Sequence, residues 1–237
     1  MIATMGSTAV STAVSGAGSA VQPAKEITSE PTEQVHRNVV LRNISWSLYQ
    51  QLQAAKGDTS NPRFAYDSGF LEITMPSTEH EFANRALARI FETIAEELDI
   101  DFANLGSTTF DREDLKKALE PDTCFYVQHA DLMRGKPRLD PLTDPPPELV
   151  IEVDVSSSSL NKLPIYAGLG VAEIWRWRLH GVSILRLEHG AYHQQDASVI
   201  LPGVTSEQLT YLLQASQQMK RKDWLREVQA VANALTT

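Results

Sequence analysis

Apolar residues recur at four-residue spacing between positions 78 and 98, where Phe82, Ala86, Ile90 and Ile94 form one stripe with Leu87 and Leu98 beside it. That period predicts an amphipathic helix over 78–98, and Thr78-Glu79-His80-Glu81 has the form of a capping box at its start. Elsewhere the period falls to two. Leu71, Ile73 and Met75 alternate with Glu72 and Thr74, and the runs 63–66 and 70–75 flank Asp67-Ser68-Gly69, so a half-buried hairpin ending at Pro76 is expected. A third pattern is the near-continuous apolar run 148–155. It follows the extended Pro145-Pro146-Pro147 and predicts a strand buried on both faces.

Weaker signals fill in the order. Ser45 precedes Leu48 and Leu52 at helical spacing, with Gly57 as the stop, which gives a short helix. Short strands are expected at 101–105 and 107–110, a charged turn or helix through Lys116 and Lys117, and a strand at 123–129. Ser156 to Ser159 offer caps for a short helix with Pro164 in its first turn, ended by Gly168 and Gly170. The runs 172–179 and 182–189 form a second hairpin around His180-Gly181, and Ser206 caps a helix that continues to about Ala234. This order argues for a mixed α/β (α+β) domain with a central sheet flanked by helices. Residues 1–36 read as a disordered leader, because the small side chains of its first 24 positions bury too little area to offset ordering. The domain then spans 37–215, with a helical extension over 216–237.

Composition removes several classes of function. The 237 residues include 21 Lys and Arg against 30 Asp and Glu, a formal charge of -9, which excludes a polycationic DNA-coating protein. The lone Cys124 excludes a disulfide framework and a multi-cysteine zinc site, and it reads as core. No apolar run is long enough to cross a bilayer, so no membrane role is expected and a reducing cytoplasm is the default location.

The candidate chemistry lies in carboxylates at strand ends. Asp122 opens the strand that follows Pro121, and Glu152 sits inside the apolar run, where an ionised side chain is costly unless a cation pairs with it. Ten residues on, Lys162 is within reach of the same pocket. Two oxygen ligands and an ammonium suit Mg²⁺-assisted phosphodiester hydrolysis. The same residues also admit a structural reading: Asp122 as a turn former, Glu152 paired with Arg176 or Arg178, and Lys162 solvated. His80 reads as a polar surface residue at a helix start, and His36, His129, His180, His189 and His193 show no ligand spacing. Arg176 and Arg178 alternate with Trp175 and Trp177, which puts the cations on one strand face for contact with a phosphate backbone or simply leaves the indoles buried. Arg134, Lys136 and Arg138 in a Gly/Pro-containing loop are candidates for a second such contact.

Seven stretches, in order over about residues 40–215, carry a family resemblance. They are 70–76, 77–80, Leu105-Gly-Ser-Thr-Thr-Phe110, Leu119-Glu-Pro-Asp122, Asp144-Pro-Pro-Pro-Glu-Leu-Val-Ile-Glu-Val-Asp154, Ser159-Leu-Asn-Lys162 and Gly170-Val-Ala-Glu-Ile-Trp175. Together they resemble the Uma-two family of restriction-endonuclease-like proteins in the PD-(D/E)XK nuclease superfamily. The resemblance implies a restriction-endonuclease-like core and divalent-metal-dependent cleavage of nucleic acid, with DNA the expected substrate and Mg²⁺ or Mn²⁺ the expected ion. By the same resemblance Asp122 is the first acid and Glu152 the second, while Glu79 on the long helix is the helical acid that often joins them. Position 154 departs from the pattern: Asp154 stands where the superfamily's strand lysine belongs. Lys162 is the replacement expected from the next helix, and Asp154 is a candidate further metal ligand. With no second reading domain apparent, specificity would need loops or a homodimer. The rival reading is a non-catalytic nucleic-acid- or protein-binding module that keeps the nuclease fold.

Overall fold

The computed structural model describes residues 38–57, 59–154, 160–179 and 181–236. The expected leader, the caps at 156–159, His36 and His180 lie outside the described residues. Among the described residues no helix is long and apolar enough to cross a membrane.

The strands divide between two sheets. In the first, β1 (Asn38–Leu41), β3 (Phe70–Thr74), β2 (Arg63–Asp67), β6 (Lys117–Leu119) and β5 (Phe110–Arg112) neighbour one another in that order, all antiparallel. The expected hairpin is β2–β3, and its turn is made by Ser68 and Gly69, both at positive φ, as a tight hairpin requires. Helix α1 (Trp46–Lys56) closes one face of this sheet through Trp46 and Tyr49, which pack against Tyr66 and Leu71; Ser45 caps it by accepting from the Leu48 amide. The charged turn or helix expected through Lys116 and Lys117 is a single 3-10 turn, Glu113–Leu115, closed by Lys116, and residues 117–119 form a strand. Ala118 and Leu119 are fully buried, and Lys117 is spared by pairing with Asp67 at 3.0 Å, so burial overrode the local charge pattern.

The second sheet is mixed and holds the candidate chemistry. Its order is β11 (Ala191–Gln195), β10 (Gly181–Glu188), β9 (Glu173–Arg178), β8 (Leu149–Asp154), β7 (Thr123–Tyr126) and β4 (Ala103–Gly106), with β8 and β9 parallel and the other pairs antiparallel. Strand β7 stops at Tyr126, short of the expected 129. The Val127 amide donates to the Glu148 carboxylate and His129 contacts the same group, turning the chain into the short helix α3 (Ala130–Met133).

Both faces of β8 are covered, as its unbroken apolar run requires. Leu149, Ile151 and Val153 join Trp175 and Trp177 under α2 (Thr78–Glu97), α5 (Ser206–Ser216) and α6 (Arg221–Leu235), while Val150 faces α4 (Leu163–Leu169) with Cys124, Tyr126 and Ile165. Pro164 lies in the first turn of α4, where its missing N–H costs nothing. The caps sit one residue earlier than the sequence suggests: Ser77, not Thr78, accepts from the His80 amide, and Thr205, not Ser206, forms a capping box with Gln208. The C-terminal helix is broken at 217–220 into α5 and α6. Trp224, Val228 and Ala232 of α6 enter the core, and Trp224 Nε1 donates to the Leu212 carbonyl at 2.8 Å. A fully buried large apolar side chain contributes about 1.5–3 kcal/mol, so α6 carries a sizeable part of a net domain stability of roughly 5–15 kcal/mol.

Candidate functional site

Alternation and register bring the candidate residues to one end of one sheet face. Strands β7 and β8 pair Thr123 with Ile151, Cys124 with Val150 and Phe125 with Leu149, and one step further sets Asp122 opposite Glu152. Directly opposed antiparallel residues have Cβ atoms about 4.5–5.5 Å apart. On the other side, the parallel register places Arg176 beside Glu152 and Arg178 beside Asp154. These four residues, with Lys162 and Tyr166 from the α4 region, line a cavity of about 420 Å³. The indoles of Trp175 and Trp177 point to the opposite, buried face, so the alternation read in the sequence holds.

Each carboxylate is held by groups of the chain. Glu152 is 3% exposed; Lys162 Nζ donates to its Oε2 at 2.9 Å and the Tyr166 hydroxyl donates to Oε1. Asp122 is 4% exposed; Arg63 of β2 pairs with its Oδ1, and its Oδ2 accepts from the Val153 amide at 2.7 Å and lies 3.0 Å from His80 Nε2. Asn84 of α2 donates to the Asp122 carbonyl and accepts from Thr123, which fixes the start of β7.

The buried field sets the protonation states. Burial first, then the positive charges of Arg63 and Lys162, lower the His80 pKa to about 4 against the opposing pull of Glu152, so near neutrality the ring is uncharged and its Nε2–H serves Asp122. Burial works to lower Lys162, yet the charge and hydrogen bond of Glu152, with Asp154 and Glu72, hold it above its ordinary value. Asp154 is raised by burial and by Glu152, partly offset by Lys162, Arg176 and Arg178. Cys124 is fully buried and its thiol is pushed up to about 12 by burial, which fits a core side chain and not a nucleophile.

Other expected residues lie elsewhere. Glu79 is exposed on the first turn of α2, and the adjacent His80, expected at the surface, turns inward and is 8% exposed. Because Ser77 is the cap, His80 occupies the third helical position and faces the end of β7. Arg134 pairs with Asp101 and Asp131, and Lys136 with Asp144. Lys136 and Arg138 line a separate cavity of about 740 Å³ against α1. Sequence reasoning missed Arg63, Tyr166 and Glu72. Glu72 stands on the side of β3 that alternation assigned to solvent, yet it is 1% exposed and its charge reaches Lys162.

Among the described residues no three acid, imidazole or thiol groups converge as a cage for an ion. A Mg²⁺-sized ion needs only one or two carboxylates because it keeps several waters. An ionised carboxylate offers about four lone-pair sites; Glu152 uses two in these contacts and Asp122 three. Asp122 and Glu152 therefore fit a two-carboxylate, water-rich site and do not fit an all-protein one.

The chain belongs to the Uma2 family, described as "Putative restriction endonuclease", whose match covers residues 46–218. The match contains Asp122, Glu152 and Lys162. No curated protein matches the chain. Among solved structures, one similar chain is a protein of Anabaena variabilis described as "a putative nuclease belonging to DUF820", at 13% identity and a TM-score of 0.48, covering 68% of this chain and 96% of that one. Family membership makes a nuclease the class of protein to which this chain belongs.

Proposed function

We propose that the chain is a divalent-metal-dependent endonuclease that hydrolyses phosphodiester bonds in DNA. The observation that carries this reading is the pair Asp122 and Glu152 in facing register, with Lys162 on Glu152 and with Arg176 and Arg178 along the cavity that Glu152 lines. Asp122 and Glu152 are the residues to hold Mg²⁺ or Mn²⁺, which when bound supplies Lewis-acid polarisation of the phosphoryl group. Tyr166 fixes one oxygen of Glu152 and Lys162 the other, so the carboxylate reaches the substrate with its orientation set. Arg63, the Val153 amide and neutral His80 do the same for Asp122. The Lys162 ammonium is a compact donor that steadies charge developing on the phosphate, and Arg176 and Arg178 position the backbone. Asp154 is a further acid on the same face, two residues from Glu152.

Two features favour the rival non-catalytic module: both carboxylates are already paired with cations of the chain, and Asp154 stands where a strand lysine was expected. Cleavage of single- and double-stranded DNA and RNA with Mg²⁺ or Mn²⁺ separates the two readings. Wild type should cut DNA, Glu152→Gln and Asp122→Asn should abolish it, and Lys162→Ala should reduce it roughly a hundredfold or more. No cleavage of any substrate that depends on Glu152 would assign the fold to binding alone.

A further inference from the structure

Helices α2 and α6 pack side by side and leave a groove of about 510 Å³ that shares no residue with the Glu152 cavity. Thr93, in the groove, lies thirteen positions beyond His80 on α2, roughly 20 Å along the axis at about 1.5 Å per residue. Four cations line the groove, Arg89 from α2 and Arg221, Lys222 and Arg226 from α6, against the two carboxylates of Glu96 and Glu97. The lining itself thus carries two more cations than carboxylates, on a chain whose formal charge is -9.

Some of that charge is committed. Arg89 lies 3.5 Å from Glu92, Arg226 pairs with Asp223, and Glu97 accepts from Gln229. Arg221 and Lys222 make no ion pair among the described residues. They open α6, whose N-cap Lys220 gives no side-chain cap, so the Arg221 and Lys222 amides have no partner there while the Asp223 amide donates to the Lys220 carbonyl at 2.9 Å.

A second observation comes from the floor of the groove. Thr93 is 4% exposed, and its hydroxyl is buried with no hydrogen-bond partner, as is Nε of Arg89. Native folds rarely leave such groups unpaired without a use for them. Leu225 and the methylene stems of the arginines add an apolar strip. Arginine both forks onto phosphate and stacks on planar rings, so the lining suits a ligand that carries both. The volume lies within the roughly 300–1,000 Å³ of small-molecule sites.

We infer that this groove is a nucleotide-binding site, with the phosphate on Arg221, Lys222 and the α6 amides, the ring against Leu225 and the arginine stems, and the Thr93 hydroxyl paired to the ligand. The assay is calorimetric titration of the full chain with 5′-AMP, in EDTA so that no divalent ion holds the nucleotide at the Glu152 cavity. Saturable binding is expected, with inorganic phosphate and adenosine each at least about tenfold weaker. An Arg221→Ala, Lys222→Ala double variant, altered only at exposed positions, should bind about tenfold more weakly or worse. Thr93→Val, which keeps the shape and removes the hydroxyl, should lose about threefold or more, with an unchanged melting temperature showing that both variants are folded. Absence of saturable AMP binding, or binding equal in wild type and the double variant, would overturn the inference. So would an inert AMP beside a single-stranded oligonucleotide whose binding needs Arg221 and Lys222, since that outcome gives the groove to polymer backbone.

Discussion

Replacing Lys162 by Met tests whether the ammonium is what makes the buried Glu152 tolerable. The side chains of the pair are 21% and 4% exposed, and Nζ lies 2.9 Å from Oε2. Removing one partner of a buried pair costs about 3–5 kcal/mol, because the other charge is left uncompensated. Partial exposure of Lys162 and the surviving Tyr166 hydrogen bond argue for the low end, about 3 kcal/mol at pH 7.5. Glu152→Gln in the Lys162→Met background removes the stranded charge, so the double variant should recover about 2 kcal/mol relative to Lys162→Met. Urea unfolding of metal-free protein, for wild type, both single variants and the double, gives the coupling directly. Additivity within about 0.5 kcal/mol would show that the two groups do not stabilise each other and would refute the electrostatic argument.

Three further outcomes are expected. His80 titrates near 4 when folded against about 6.5 when unfolded, so the unfolded chain binds more protons between those values. Its contribution is intact above pH 6.5 and falls by up to about 3 kcal/mol as the pH drops to 4, and metal-free His80→Gln should show a flatter stability profile over that window. Glu173 is fully buried and accepts from Trp175 Nε1, the Ser198 hydroxyl and the Val199 amide, so Glu173→Ala should cost about 3 kcal/mol or more in denaturant unfolding; a loss under about 1 kcal/mol would show that water replaces it. Trp224→Phe removes the bond to the Leu212 carbonyl and part of a core side chain, and should cost about 1–3 kcal/mol without altering nucleic-acid cleavage.

What was legible in the sequence followed from patterns that burial enforces. The 148–155 run becomes β8 because both of its faces are covered, and the 78–98 stripe becomes α2 because one face lies on that sheet. Asp122 and Glu152 stood out because a strand between two layers has no packing use for a carboxylate, and Lys162 because no other lysine lies between Arg138 and Lys220. Partners that approach from distant parts of the chain left no local signal. Arg63 reaches Asp122 from a different sheet, and Glu72 looked like an exposed position because alternation says which residues share a face and not what covers that face. His80 was misplaced because the stripe was drawn through Phe82, which is 45% exposed, whereas the buried face of α2 runs through Ala83 and Leu87, which lie three and seven residues after His80. The break between α5 and α6 was hidden in a polar stretch whose few apolar residues turn out to be core.

The bond from the Val153 amide to Asp122 has a practical bearing on any inactive variant of this protein. Asp122 spends one oxygen as a rung of the sheet, standing in for the backbone carbonyl that a longer β7 would present to β8. Alanine at that position would remove the carboxylate proposed to hold the metal and unpick the adjoining strand end together, so a lost activity could not be told from a loosened fold. Asparagine keeps a carbonyl oxygen for Val153 while removing the charge, and it is the substitution to use when a folded, substrate-holding, non-cutting protein is wanted for trapping a complex.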